Sequence, residues 1–368
     1  MRRSRAAVGA AAAMALVAVS PVTALADDGG EDGITTVATG LDGPRQLSEF
    51  KAHQLVVAES DTGEVSSVDL RDGRVRTLLS GLGNAQGVDY KYGGLFVAVG
   101  EAPPAEDGAP PPPPGTPTQV VIEAKPNGQL LRTWDLLEYE LENNPDGQQQ
   151  FMEVDGEEVP VETLSNPYAV LAQGNRLLVS DAGANAVLAI DLQTGKISTF
   201  FVPPVVTDTP ECAEAENNPG TVGCDPVPTE IAEGRNGLIY VGTLGAEAPG
   251  AGRVYVLDRH GDVVDVITGL DSVTGVDVDP YGNVYVSNVI EGFPMGPPPD
   301  DFDPSTVGEV TRISPDGERA TAQVTMPTGL EWTHGHLYAS AWSLAGFLGM
   351  PSAGEVQRVG SGAFSAAP

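Results

Sequence analysis

A 368-residue chain with 51 acidic and 19 basic residues has a net charge of −32, which excludes a nucleic-acid partner, because phosphate binding needs a basic footprint. Two cysteines and four histidines leave too few soft ligands for a multi-disulfide scaffold or a Cys/His metal framework. The stability of so long a chain must therefore come from an apolar core.

The first segment, residues 1–26, reads as a secretory signal peptide. Arg2, Arg3 and Arg5 form its basic start, Ala6 to Val19 its apolar stretch, and Ala24-Leu25-Ala26 a small-x-small cleavage site. The stretch is short for a span and is followed by Ser20 and Pro21, so no membrane span is expected and the mature chain reads as secreted. Residues 27–33 form an acidic mature N-terminus.

From residue 34 to 360 the chain repeats one phrase about six times at a period of roughly 40–50 residues, the signature of a β-propeller. Each copy has a Gly-Leu-turn-Pro opening, an apolar run ending in a small residue, and two more short strands joined by a Gly-containing turn. The apolar runs are clearest at Leu55 to Ala58, Leu95 to Val99, Leu177 to Ser180, Ile239 to Thr243, Val284 to Asn288 and Leu337 to Ala341. Within each copy the strands are lettered A (innermost) to D (outermost). Asp72-Gly73, Asn127-Gly128, Thr194-Gly195, His260-Gly261 and Asp316-Gly317 supply hairpin turns between C and D. The sixth copy lacks a D strand, while Ile34 to Leu41 has the form of one. We therefore expect an all-β, six-bladed propeller closed by the N-terminal strand completing the last blade, with residues 361–368 as a flexible tail.

The long insertions share one face. Glu101 to Thr118, Leu244 to Gly252, Glu291 to Thr306 and Leu344 to Gly354 join B to C, and Asp135 to Ser165 and Pro203 to Val227 join D to A. A–B and C–D turns stay short, so one face is decorated and the other trimmed. Function usually resides on such loops. The decorated loops include a polyproline stretch, Ala109 to Pro114. Cys212 and Cys224 fall together in one of them and are expected to form a local disulfide.

The decorated mouth of the channel collects the starts of A and the ends of B. Arg45, Gln86, Tyr168 and Glu230 are the candidate ligand-binding residues there. Glu59, Asp181, Glu230 and Asn288 supply hard oxygens that could hold Ca²⁺, which takes six to eight oxygen ligands. His53, His334 and His336 lie in A–B turns and His260 in a C–D turn, all on the trimmed face, so no His base reaches that mouth. No Gly-x-Ser-x-Gly context is present, and no catalytic residue is assigned.

The repeated Gly-Leu-x-x-Pro-x-Gln/Gly-Leu pattern resembles NHL-type propellers. The opening Thr36-Val37-Ala38-Thr39-Gly40-Leu41-Asp42-Gly43-Pro44-Arg45-Gln46-Leu47 resembles the ScyD/ScyE family of exported bacterial proteins. That resemblance implies an exported propeller with no catalytic signature to carry over. More distantly, the pattern is similar to gluconolactonase-like and streptogramin-lyase propellers, but the lyase type depends on a His near the channel that is missing here. The expected function is non-catalytic binding of a small-molecule ligand or protein partner at the decorated face by a monomer. The alternative is a metal-dependent hydrolase or lyase, lactonase-like, acting on a small metabolite.

Overall fold

The computed structural model describes residues 32–102, 113–148, 151–154, 157–160, 165–216, 220–294, 298–299 and 301–367. The expected signal peptide, residues 27–31 of the acidic N-terminus and most of the polyproline stretch lie outside them. The chain is an all-β, six-bladed propeller of antiparallel sheets. Blade 1 comprises Pro44–Lys51, Gln54–Glu59, Glu64–Asp69 and Val75–Leu79. Blade 2 comprises Ala85–Lys91, Gly94–Val99, Val120–Ala124 and Leu130–Asp135, and blade 3 Pro167–Gln173, Arg176–Asp181, Ala186–Asp191 and Ile197–Phe201. Blade 4 comprises Pro228–Glu233, Ile239–Thr243, Gly252–Leu257 and Val263–Leu270, and blade 5 Val273–Val278, Val284–Asn288, Glu309–Ile313 and Arg319–Ala322.

In blade 6 the chain supplies Leu330–Thr333, His336–Ala341 and Gly354–Val359, and the outermost strand is Ile34–Leu41. Ile34 lies opposite Val359, Thr36 opposite Gln357 and Leu41 opposite Gly354. The two ends of the propeller thus meet in one sheet.

The alternation of side chains along a strand explains why the B strands read as continuous apolar runs: both faces of each blade are buried. Val56 and Ala58 join Val88, Val97 and Ile122 in the cluster between blades 1 and 2. Leu55 and Val57, on the opposite face, join Tyr338 and Val356 between blades 6 and 1. Corresponding clusters fill the other four interfaces. Ala38 and Leu41 of the N-terminal strand belong to the blade 6–1 cluster, so that strand contributes packing as well as a ladder. At the C–D turns, Gly73, Gly128, Gly195, Gly261 and Gly317 all have positive φ, the conformation these turns require.

Two segments differ from the sequence reading. The tail does not trail free. Ser365–Ala366 pairs with Thr321 and Ala320 as a fifth strand on blade 5, and Phe364 sits against Tyr285 and under the Arg312 guanidinium. The added strand covers part of an open sheet edge. The D–A insertion after blade 2 contains a helix, Leu136–Asn143, and a hairpin, Phe151–Val154 with Glu157–Pro160. Asp135 caps the helix by accepting from the Glu138 N–H at 2.8 Å, and Asn144 ends it in the left-handed region.

Cys212 and Cys224 form a disulfide across the next D–A loop, packed on Val206 and Ala251. It suggests an oxidising, non-cytosolic location. Among the described residues no helix is long and apolar enough to cross a membrane.

Candidate functional site

Each innermost strand runs from the decorated face toward the trimmed face, so equivalent positions form rings around the axis. The second residue of the A column is Arg45, Gln86, Tyr168, Thr229, Thr274 and Thr328 in blades 1 to 6. The three threonines lace the ring. Thr229 Oγ1 donates to Val273 O at 2.9 Å, Thr274 Oγ1 to Pro327 O at 3.1 Å and Thr328 Oγ1 to Pro44 O at 3.0 Å. Each bond ties a blade to the start of the next blade: Val273 and Pro44 open their innermost strands, and Pro327 lies just before Leu330–Thr333.

Blades 1 to 3 carry long polar side chains at the position that Thr uses for lacing. Arg45 is only 8% exposed and spends one N–H on Ser60 Oγ at 3.0 Å. No described carboxylate lies within ion-pair distance of its guanidinium. Gln86 donates to Asn84 Oδ1 at 3.0 Å, while its Oε1 is buried with no hydrogen-bond partner among the described residues. Burial pushes the Tyr168 hydroxyl up to about 12; the nearby Arg45 charge opposes this and Glu230 adds to it. The hydroxyl is therefore a neutral donor across the physiological range.

One step deeper the ring reads Gln46, Gly87, Ala169, Glu230, Gly275 and Gly329. Neighbouring innermost strands approach so closely here that a Cβ on Gly275 would sit 1.9 Å from Thr328 O, and one on Gly329 2.3 Å from Arg45 O. The two long members of the ring fill the axis. Gln46 Nε2 donates to Glu230 Oε1 at 2.6 Å and to Val170 O at 3.1 Å, and its Oε1 accepts from Val88 N and Val170 N. This bridge joins blades 1, 2, 3 and 4 and closes the channel between its two ends.

Below the bridge a cavity of about 640 Å³ is lined by the later residues of the innermost strands, from Gln46–Phe50 and Asp89–Lys91 round to Leu330–Trp332. The lining runs to the A–B turns, so this funnel opens on the trimmed face. Two residues beyond the Gln46 ring lie Ser48, Asp89, Leu171, Ala232, Asp277 and Glu331. Their carboxylates follow one rule: each accepts an N–H from the innermost strand of the next blade. Asp89 accepts from Ala172 N at 2.7 Å, Asp277 from Trp332 N, and Glu331 from Glu49 N at 3.1 Å. Those N–H groups face the axis and have no strand to pair with. Asp89, Asp277 and Glu331 were not among the sequence-predicted site residues. Their signal was an acid at alternate positions of otherwise apolar strands.

Burial raises the pKa of all four channel carboxylates, and for Glu230 and Glu331 the like charges of Asp89 and Asp277 add to it. Burial also raises Asp181 to about 6 and Glu140 to about 8. An acid whose folded pKa lies above its unfolded value stabilises the fold while protonated, and that contribution is lost as pH rises through the two values. The thermal midpoint should therefore fall by several degrees from about pH 5 to about pH 8. Calorimetry at constant ionic strength checks this; a midpoint higher at pH 8 would contradict it.

The four sequence-predicted cation ligands are engaged separately. Glu59 Oε2 accepts from Asp42 N at 2.9 Å. Asp181 accepts from Ser165 Oγ and Asn166 N, both at 2.6 Å, and from Ala184 N at 3.2 Å. Asn288 bonds Ile290 N and Glu291 within its own B–C loop. Glu230 alone lies on the axis. Among the described residues no group of three or more His, Cys, Asp and Glu is placed to hold a metal ion. His53 and His334 stack on each other at 5.1 Å in the A–B turns of blades 1 and 6.

No family model matches the chain, and no curated protein matches it. Solved structures do match in fold. A calcium-binding protein, regucalcin, from Agrobacterium tumefaciens has a TM-score of 0.52 at 12% identity, covering 88% of this chain and 92% of that one. A luciferin-regenerating enzyme has 0.51 at 10%, covering 90% and 94%. A gluconolactonase from Xanthomonas campestris has 0.50 at 9%, covering 89% of each. At these identities the likeness is one of fold alone: a six-bladed propeller. The ScyD/ScyE resemblance rests on the sequence motif alone.

Proposed function

We propose that this chain is an exported, non-catalytic propeller that binds a small organic acid at its decorated mouth. Arg45 binds the anion, Tyr168 and Gln86 hydrogen-bond to it, and Glu230 closes the floor. The observation that carries this reading is the Arg45 guanidinium: buried to 8% exposure and, among the described residues, without an ion-pair partner in a strongly acidic chain. A buried charge left uncompensated is costly, and an anionic ligand would compensate it. The break in threonine lacing supports the same reading, since Arg45, Gln86 and Tyr168 replace the residue that ties the other half of the ring. The carboxylates that a metal-assisted hydrolysis would draw on at this face, Glu59 and Asp181, are occupied by loop hydrogen bonds, which favours binding over catalysis.

Titration calorimetry with benzoate, salicylate, gluconate and citrate tests the proposal. At least one of these acids should bind. Arg45→Met should weaken that binding by about 30-fold, the loss of a charge-assisted contact, and Tyr168→Phe by a few-fold. Wild-type protein that binds none of them, or an Arg45→Met variant that binds as tightly, would sink the reading.

A further inference from the structure

The trimmed-face funnel is a second concave site, separated from the mouth by the Gln46–Glu230 bridge. Its volume, about 640 Å³, falls in the range of small-molecule pockets. The charged groups facing it are Glu49, Asp89, Glu230, Glu233, Asp277 and Glu331 against the single Lys91; blade 3 offers only Val170 and Leu171. Its floor carries the unexplained group. Glu230 is 2% exposed, and while its Oε1 takes the Gln46 bond, its Oε2 is buried without a hydrogen-bond partner among the described residues. The Gln46 bond needs an oxygen there but not a charge, and the other ring positions at that level are Gly87, Ala169, Gly275 and Gly329 beside Gln46.

We infer that the funnel binds a small organic cation, a primary amine or guanidinium compound, whose charged end donates to Glu230 Oε2 within the field of Asp89, Asp277 and Glu331. Two observations favour an organic cation over a metal ion. Asp89, Asp277 and Glu331 each commit an oxygen to a backbone N–H, and no three acids stand at metal-holding spacing among the described residues. The cavity is also many times larger than an ion, and Trp332 and Tyr90 line it, surfaces on which a weakly hydrated cation can rest. Bringing a cation to Glu230 favours its ionised form, so binding should release a proton to the buffer.

Titration calorimetry with agmatine and with cadaverine tests this, with glutarate as a control of similar length and opposite charge. Both cations should bind with dissociation constants below about 1 mM, more weakly at high salt, and with a heat that changes with the ionisation enthalpy of the buffer. Glutarate should not compete. Glu230→Gln keeps the oxygen that accepts from Gln46 but loses the charge. It should bind agmatine at least about tenfold more weakly, yet melt no lower than wild type at about pH 8, because a buried charge has gone. Asp277→Asn should weaken binding in the same direction. Absence of saturable agmatine binding would overturn the inference. So would unchanged affinity in both variants, or tight Ca²⁺ binding that agmatine cannot displace.

Discussion

A protein beginning at Asp42 should lose its cooperative thermal transition, or melt at least about 15 °C lower than the full chain, because the ring would no longer close. Removing Ile34–Leu41 exposes the Gly354–Val359 strand along its full length and strips Ala38 and Leu41 from the cluster between blades 6 and 1. Six positions of ladder are lost, each backbone bond worth about 1 kcal/mol net, and Leu41 alone buries apolar surface worth about 2 kcal/mol. That sum rivals the whole stability of an ordinary domain, about 5–15 kcal/mol. The loss should also be recoverable: a peptide spanning residues 33–42, added in trans, should pair with the open edge and raise the midpoint. Scanning calorimetry decides it. A truncated protein melting within a few degrees of wild type would show that the last blade stands without its borrowed strand.

Gln46→Ala should cost about 3–5 kcal/mol, the largest effect of any single polar substitution on the axis, and lower the midpoint by roughly 5–15 °C. The side chain satisfies two backbone donors, Val88 N and Val170 N, and holds Glu230. Alanine leaves those donors buried and Glu230 without its bond. Solvent cannot easily substitute, because Gly87 and Ala169 crowd the same level: a Cβ on Gly87 would lie 2.7 Å from both Gln46 Oε1 and Ala169 Cα. Gln46→Glu separates the hydrogen-bond role from simple space filling. It adds a fifth carboxylate beside Glu230, Asp89, Asp277 and Glu331, so its cost should be small near pH 5 and grow toward pH 8. Denaturant unfolding of both variants at the two pH values measures this. A Gln46→Ala loss under about 1 kcal/mol would mean that the bridge contributes nothing net.

The blade count was legible because the repeat writes the same physical demand six times: a doubly buried second strand must be apolar on both sides, and a tight C–D hairpin must have Gly. Leu55 to Ala58 shows the first demand in four residues, with alternate side chains serving clusters on either side of the blade, and Gly73 shows the second. The break in the column was legible as well: Arg45, Gln86 and Tyr168 stand where the other three blades have Thr. The funnel was not. Its carboxylates occupy the column two residues further along the innermost strand, and reading one column gives no hint that the next also faces the axis. Nor does spacing say that Gln46 meets Glu230, 184 positions away, because that meeting depends on blades 1 and 4 standing opposite each other across the closed ring.

Local signals were also outweighed by the regularity of the repeat. Asp135-Leu136-Leu137-Glu138 is a helix-start pattern, an acid whose side chain caps an N–H three residues on, yet it lies in a segment that the repeat marks only as a connection. Ser365–Ala366 is two residues long, too short for any periodicity, and pairs because Phe364 anchors it against Tyr285. The candidate cation ligands show how one residue type serves two demands. Glu59 and Asp181 stand at the ends of second strands, where an acid serves equally well to hold the N–H groups of the adjoining loop, as both do.

The proposed function requires that the decorated mouth be a ligand site organised by Arg45. A crystal structure grown with 4-bromobenzoate tests that most directly, because the anomalous signal of bromine locates the ligand without interpretation of weak density. The carboxylate should lie within hydrogen-bond distance of the Arg45 guanidinium and the Tyr168 hydroxyl, above the Gln46–Glu230 bridge. Bromobenzoate bound elsewhere while Arg45 keeps only its Ser60 contact would contradict it.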